Sequence, residues 1–363
     1  MVGSERMDLK KRLDQAKLYL KYYFSYFLSY PLVYPKEVNF QMTNRCNLRC
    51  KMCNIWKLRK KEKEISVKEM KRILKEIKEN WNTKYVSFVG GEALLRYKDT
   101  LELIRYANKL GFITNLVTNC SLLNEKTCKE LVKAGMKRIA LSLDGATPKT
   151  HDFIRGKGNF KQVLNAAKIL LKLKKRYPLK IDFTTVVMSY NFRELIDLYW
   201  LAKRIGVDQW FLQSVVLDNT FQNFNYDSAL WIKGKDLEEL KRIIKKLIIL
   251  KLKDPNFIYN SIYYLKSIPK YFELKEKFNL GHCMAGYYNL NIDPYGYISI
   301  CNYGPNLNVK RKNVTELWKH KKYKLTRIKI KNCKMPCMML CYQRFDLLEF
   351  MKVFFGVRDG RNF

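Results

Sequence analysis

Three cysteines lie close together in Cys46-Asn-Leu-Arg-Cys50-Lys-Met-Cys53, a C-x3-C-x2-C pattern. Three thiolates on one loop can hold three corners of an iron–sulfur cubane and leave the fourth iron open to a chelating molecule. The competing chemistry is structural zinc, but zinc takes four ligands, usually in paired C-x2-C spacing, and no histidine stands nearby. A second group follows near the C-terminus: Cys283, then Cys301 closing Gly296-Tyr-Ile-Ser-Ile-Cys301, then Cys333-x3-Cys337-x3-Cys341. Between them, Asn291-Ile-Asp293-Pro-Tyr-Gly296 reads as a hairpin turn that would bring Cys283 and Cys301 together. Smaller groups add polar chemistry: Gly90-Gly91-Glu92, Thr118-Asn119, Ser142-Leu-Asp144-Gly145 and His151-Asp152-x-x-Arg155-Gly156. Paired glycines let a backbone approach a ligand closely. Glu92 can accept from an ammonium group, and Arg155 can grip a carboxylate with two N–H groups. The plain alternatives are a surface ion pair for Glu92 and Arg155, and simple strand ends for Ser142 and Asp144.

These groups need elements to hold them. Short runs rich in Val, Ile, Phe or Tyr predict strands at Val38–Met42, Lys84–Val89, Phe112–Val117, Arg138–Leu143, Lys180–Met188 and Gln209–Val215. Helical patterns lie between them. One opens at Ser66 with Glu69 three positions on, a capping-box signature, and carries Met70, Ile73, Leu74 and Ile77 on one face; another opens near Asn191. Six alternations imply an α/β fold with a parallel sheet, open and wound or closed into a partial barrel. Ligands in such folds bind at the carboxyl ends of strands, where each of the barrel motifs above falls. Residues 1–36 form a basic and aromatic helix, with Leu13, Leu20, Phe24 and Phe27 on one face and Tyr22, Tyr23, Tyr26 and Tyr30 widening it. That helix suits either a membrane interface or packing on the main domain. Residues 37–216 hold the barrel. Residues 217–280 read as a helical connector broken at Pro255 and Pro269, 281–345 as a small cysteine-rich α+β unit, and 346–363 as an apolar tail.

C-x3-C-x2-C after the first strand, followed in order by the other four groups, resembles the radical S-adenosylmethionine (radical SAM) enzymes over roughly residues 38–216. The resemblance implies a partial (β/α)6 barrel of parallel strands, a [4Fe–4S] cluster on Cys46, Cys50 and Cys53, and SAM held by Gly90, Gly91, Glu92, Asn119, Ser142, Asp144 and Arg155. The C-terminal cysteines are similar to the SPASM and twitch extensions of that family. Five cysteines here, against seven in a full SPASM domain, imply one auxiliary [4Fe–4S] cluster on four of Cys283, Cys301, Cys333, Cys337 and Cys341. The fifth, Cys341 or another, becomes a spare thiol near the substrate or a buried filler, and zinc is the other reading of this site. The sequence departs from the family pattern at Ala93, where proline is common, at Cys120, where glycine is common, and at Met52, where an aromatic often packs on the adenine. Cys120 reads either as lining the site or as a small buried hydrophobe, and Cys128 as a buried filler.

By resemblance, the chemistry is reductive cleavage of SAM and hydrogen abstraction from an unactivated substrate carbon. It calls for an external one-electron reductant, ferredoxin- or flavodoxin-like. Many SPASM enzymes modify peptides after a leader-binding domain, for which 36 residues are few. The chain of 363 residues carries a net charge of +37, with 47% apolar and 14% aromatic residues. This composition excludes wholesale disorder and predicts attraction to anions. Charge, aromatic helix and apolar tail together point to a lipid-like or anionic substrate and an anionic membrane surface. A peptide-modifying maturase is the alternative within the family. RNA binding and electron carriage are the alternatives outside it; no RNA-binding motif appears, and a carrier needs no SAM site. Ten cysteines without a signal peptide predict a reducing, cytoplasmic setting, peripheral at a membrane.

Overall fold

Six short apolar segments become six strands, β1 (Glu37–Gln41), β2 (Tyr85–Val89), β3 (Ile113–Thr118), β4 (Arg138–Ser142), β5 (Lys180–Val187) and β6 (Gln209–Ser214). Each lies within one residue of its predicted limits at both ends. The computed structural model describes residues 9–58, 61–216, 229–273, 282–301, 307–310, 312–333, 337–339 and 344–345. Strands β1 to β6 pair in chain order and all in parallel.

Helix α1 (Leu9–Leu28) precedes β1. The crossovers carry α2 (Val67–Asn80), α3 (Tyr97–Lys109), α4 (Glu125–Lys133), α5 (Pro148–Arg155), α6 (Asn159–Lys174) and α7 (Leu195–Ile205). Helix α2 shows why they form where they do. Ser66 accepts from the Glu69 amide at 3.2 Å, satisfying an orphan donor of the first turn. Met70, Ile73, Leu74 and Ile77 then fall on one face and are fully buried. Outward strand residues such as Val38, Phe40, Val86 and Phe88 meet this helical layer and are buried.

The inward face is polar. Asn39 donates to Asn291, Ser87 to Glu37 and Asn115 to Ser87 (3.1 Å); Arg138 contacts both Asp182 and Gln209. These bonds pass from strand to neighbouring strand, and in the case of Arg138 to Gln209 across β5 to β6, so their side chains share one surface below the strand ends.

Helices α8 (Lys235–Lys253) and α9 (Ile262–Glu273) follow β6. Pro255 lies past the end of α8, as the break expected there. Pro269 does not break its helix: it sits inside α9, buried in the core, and the Ser267 hydroxyl donates to the Tyr263 carbonyl in the preceding turn at 2.8 Å.

The cysteine-rich region contributes β7 (His282–Cys283), β8 (Asn289–Ile292), β9 (Tyr297–Ser299), β10 (Leu307–Asn308), α10 (Val314–Lys319), α11 (Lys321–Lys331) and β11 (Arg344–Phe345). The expected hairpin is β8–β9, turned by Asp293 to Gly296 with Gly296 at φ +90°. Strand β8 pairs in parallel with β1, so the sheet runs β10-β9-β8-β1-β2-β3-β4-β5-β6. Leu290, Ile292, Ile298 and Ile300 join the same hydrophobic core as the barrel. The unit is thus built onto the sheet edge.

Candidate active site at the strand ends

The loop after β1 holds the three cysteines and is stitched to the loop after β2. The Gly91 amide donates to the Thr43 carbonyl at 2.8 Å, and the Glu92 amide to the Arg45 carbonyl at 2.9 Å. A Cβ at Gly90 would stand 2.6 Å from the Thr43 oxygen, and one at Gly91 2.2 Å from the Arg45 oxygen. Sequence reasoning assigns these glycines to ligand approach. In the structure they permit backbone to lie on backbone, one to three residues before Cys46.

N–H donors surround the sulfurs. The Leu48 amide lies 3.4 Å from the Cys46 Sγ, the Asn119 amide nitrogen 3.7 Å from the same atom, and the Arg155 Nη1 4.0 Å from the Cys50 Sγ. Burial pushes Cys50 up to about 11, while Arg155 opposes it; burial also raises Cys46, against the Leu48 amide. Iron binding demands thiolates, and these donors face the sulfurs where thiolate charge would form. Cys46, Cys50 and Cys53 lie near enough to influence one another's ionisation. Among the described residues no group of three His, Cys, Asp or Glu side chains is placed to hold a single metal ion.

Behind the loop lies a buried polar network. Arg155 Nε donates to Asp144 Oδ2 at 2.6 Å, and Asp144 Oδ1 accepts from the Val186 amide at 2.7 Å. Burial works against the Arg155 charge, but Asp144 and then Cys50 hold its pKa above the usual range. The Asp144 amide donates to His151 Nδ1 at 3.1 Å, which leaves the ring proton on Nε2, facing Asn159 Oδ1 at 3.0 Å. Burial, then Arg155, keeps His151 below the ordinary imidazole value and neutral. Asn159 in turn donates to the Asn119 carbonyl at 2.9 Å.

Glu92 is 1% exposed. Its oxygens accept from the Leu94 amide (3.1 Å), the Thr118 hydroxyl (3.0 Å) and the Asn119 amide (2.9 Å), joining the ends of β2 and β3. Burial raises its pKa against those bonds. Any ammonium group must therefore share Glu92 with these donors. Ser142 ends β4 and is buried. Cys120 is fully buried at φ +68°, a left-handed backbone that explains why glycine suits the position. Burial pushes the Cys128 thiol up to about 12. Met52 is half-buried against the core.

The structure thus gathers Cys46, Cys50, Cys53, Gly90, Gly91, Glu92, Asn119, Asp144 and Arg155 at one end of the sheet. Asn159 and Trp56 escaped sequence reasoning, and Asn191 is legible there only as a helix start. Asn191 donates to the Asp144 and Val186 carbonyls, both at 2.8 Å, and Trp56 Nε1 to the Cys53 carbonyl at 3.0 Å. No periodicity marks a buried asparagine; only its neighbours in space reveal it. Of the second cysteine group, Cys283 lies on β7, Cys301 just past β9 and Cys333 just past α11. Cys283, Cys301 and Cys337 adjoin the common core, and Cys341 falls outside the described residues, as does the tail from 346 on.

Residues 40–202 match the Radical SAM superfamily. The chain carries a radical SAM domain. The cofactors of this family are a [4Fe–4S] cluster and SAM, and the donor set around Cys46 and Cys50 fits the cluster. Over 269 residues the chain is 28% identical to the PqqA peptide cyclase of Bradyrhizobium diazoefficiens, covering 73% of this chain and 66% of that protein. Against the AdoMet-dependent heme synthase of Oleidesulfovibrio alaskensis it is 29% identical, covering 48% of this chain and 44% of that one. The chain therefore spans between about half and two thirds of these relatives' lengths. The radical SAM fold is shared with Streptococcus suis SuiB bound to S-adenosylmethionine, at a TM-score of 0.65 and 21% identity over 88% of this chain and 71% of that one.

Proposed function

We propose that this radical SAM protein is an enzyme that modifies a peptide. When bound, the cluster and SAM supply a 5′-deoxyadenosyl radical that takes hydrogen from an unactivated substrate carbon. The chain's own residues have separate tasks. Cys46, Cys50 and Cys53 hold the cluster, while Leu48, Asn119 and Arg155 donate toward the sulfurs. Gly90 and Gly91 position the loop, and Glu92, Ser142 and Asp144 complete the SAM end. The donor set around the thiols carries the cluster assignment in this reading.

Two things favour a peptide over the lipid-like substrate that charge, aromatic helix and apolar tail together suggest. The curated relative's name specifies a peptide, and SuiB has also been solved with the precursor peptide SuiA. The inward face is lined by amides, carboxylates and a guanidinium, which match peptide N–H and C=O groups better than an alkyl chain. An auxiliary [4Fe–4S] cluster on four of Cys283, Cys301, Cys333, Cys337 and Cys341, with an external one-electron reductant, completes the proposal. The +37 charge favours a second reading, an anionic substrate.

Iron and sulfide content after anaerobic reconstitution tests the cluster assignment. Wild type should hold ~8 iron and the Cys46/Cys50/Cys53→Ala variant ~4, at four per cubane. Loss of essentially all iron in the variant would remove the auxiliary cluster. Absence of 5′-deoxyadenosine from wild type under strong reductant would remove the enzymatic reading and leave an electron carrier.

A further inference from the structure

The tyrosines of helix α1 do not all widen the face that carries Leu13, Leu20, Phe24 and Phe27. Tyr22 and Tyr26 are buried against Met284 and Tyr287, with Leu18 packed beside them, on the side away from Leu13 and Leu20. The Tyr26 hydroxyl reaches the Lys331 carbonyl at 3.4 Å, and Lys331 Nζ donates to the Phe27 carbonyl at 3.1 Å, so the helix is fixed to α11. The predicted apolar face points outward. Leu13 and Leu20 are each 45% exposed, Phe24 53%, Phe27 43% and Leu28 58%. Eight of the nineteen exposed large hydrophobics among the described residues fall between residues 13 and 32. Scattered apolar residues are ordinary on a surface, whereas a stripe of them marks a contact. From Leu13 to Leu28 the stripe runs about 22 Å at 1.5 Å per residue.

We infer that this face of α1 docks the protein on an anionic membrane surface, its side chains entering the interfacial layer while the helix lies in the membrane plane. Two observations select that occupant. Lys17 and Lys21 are exposed and border the stripe, and Lys331 reaches the Phe27 ring at 5.3 Å, so cations stand where headgroup phosphates would meet them. The whole chain carries +37, which attracts an anionic bilayer and repels a second copy of itself. No helix among the described residues is long and apolar enough to cross a membrane, so the contact is made along one face. Because α1 joins the amino end of β1, away from the cysteine loop, the inference stands whatever the substrate is.

The test is co-sedimentation of the full-length protein with vesicles of equimolar phosphatidylglycerol and phosphatidylcholine, or of phosphatidylcholine alone, at low salt. The protein should pellet with the anionic vesicles and stay in solution with the neutral ones. Leu20→Asp/Phe24→Asp should lower the partition coefficient ~10-fold or more. Lys17→Glu/Lys21→Glu should lower it and flatten its dependence on salt. Both pairs are exposed, so thermal midpoint and iron content should match wild type. Wild type that ignores anionic vesicles would overturn the inference, as would Leu20→Asp/Phe24→Asp binding as well as wild type. A dimer that the same variant converts to monomer would assign the face to a second copy instead.

Discussion

Asp144 is fully buried and its carboxylate serves two elements at once, accepting from Arg155 on α5 and from the Val186 amide on β5. A buried carboxylate of this kind stabilises chiefly by what its removal would strand. Asp144→Asn keeps the shape but leaves the Arg155 guanidinium, 9% exposed, without its counter-charge. Breaking one side of a buried pair costs about 3–5 kcal/mol, so denaturant unfolding should show a loss near that size. Removing both charges with Asp144→Asn/Arg155→Met should cost less than Asp144→Asn alone. If the double variant is the less stable, Arg155 has another acceptor to lean on, and the Cys50 sulfur is the candidate. The same pair shows what chemical type reveals at this scale and what it hides. Asp144 and Arg155 are recognisable as polar groups beside a strand end. That Arg155 turns to Asp144, within hydrogen-bond range of Cys50, follows only once β4 and α5 are folded side by side.

At the scale of elements, the two loops after β1 and β2 behave as one piece. Gly91 has no room for a side chain, since a Cβ would fall 2.2 Å from the Arg45 oxygen and 2.7 Å from the Asn44 oxygen. Both are backbone atoms and cannot swing aside. Gly91→Ala must therefore push the segment before Cys46 outward. Reconstituted iron should drop by about half as the first cluster is lost and the second kept, at four iron per cubane. The control is Gly158→Ala, where a Cβ meets nothing within 4 Å. Its φ of +82° makes it strained too, so it should cost stability while keeping iron. Equal iron in Gly91→Ala and wild type would mean that the loops are not coupled. Much of this architecture could be read beforehand. Strands of five to eight residues announce themselves by β-branched and aromatic runs, and α2 by its cap and its 3.6-residue period. What could not be read was long-range pairing: nothing in Asn289–Ile292 says that it will lie beside β1. Periodicity also located the stripe on α1 without saying which side faces in. Tyrosines fill the gap against Tyr287, where their rings pack and the Tyr26 hydroxyl reaches the Lys331 carbonyl.

For the molecule as a whole, an excess of 37 positive charges means that cations crowd one another even where they are buried. Lys36 is the clearest instance. It enters β1 at 9% exposure, with its ammonium 6.0 Å from the Tyr85 ring. Burial, then the nearby Lys84 charge, lowers its pKa to about 8, against the pull of Glu37. The consequence for stability has a definite sign. Above pH 8 the folded chain releases this proton, while the unfolded chain keeps it until ~10.4. Between those values the unfolded state binds more protons, so this site makes stability rise with pH. Below pH 8 both states are charged and the full cost of burying the cation is present. At 1.36 kcal/mol per pKa unit the site contributes up to about 3 kcal/mol across that window. Lys36→Met keeps most of the apolar stem and removes the charge. It should raise stability at pH 7 and, compared with wild type, gain progressively less between pH 8 and 10. The comparison matters more than either curve, because every other lysine titrates in both proteins and cancels in the difference. A difference that stays constant with pH would show that Lys36 keeps its proton in the fold, with Glu37 as its effective partner.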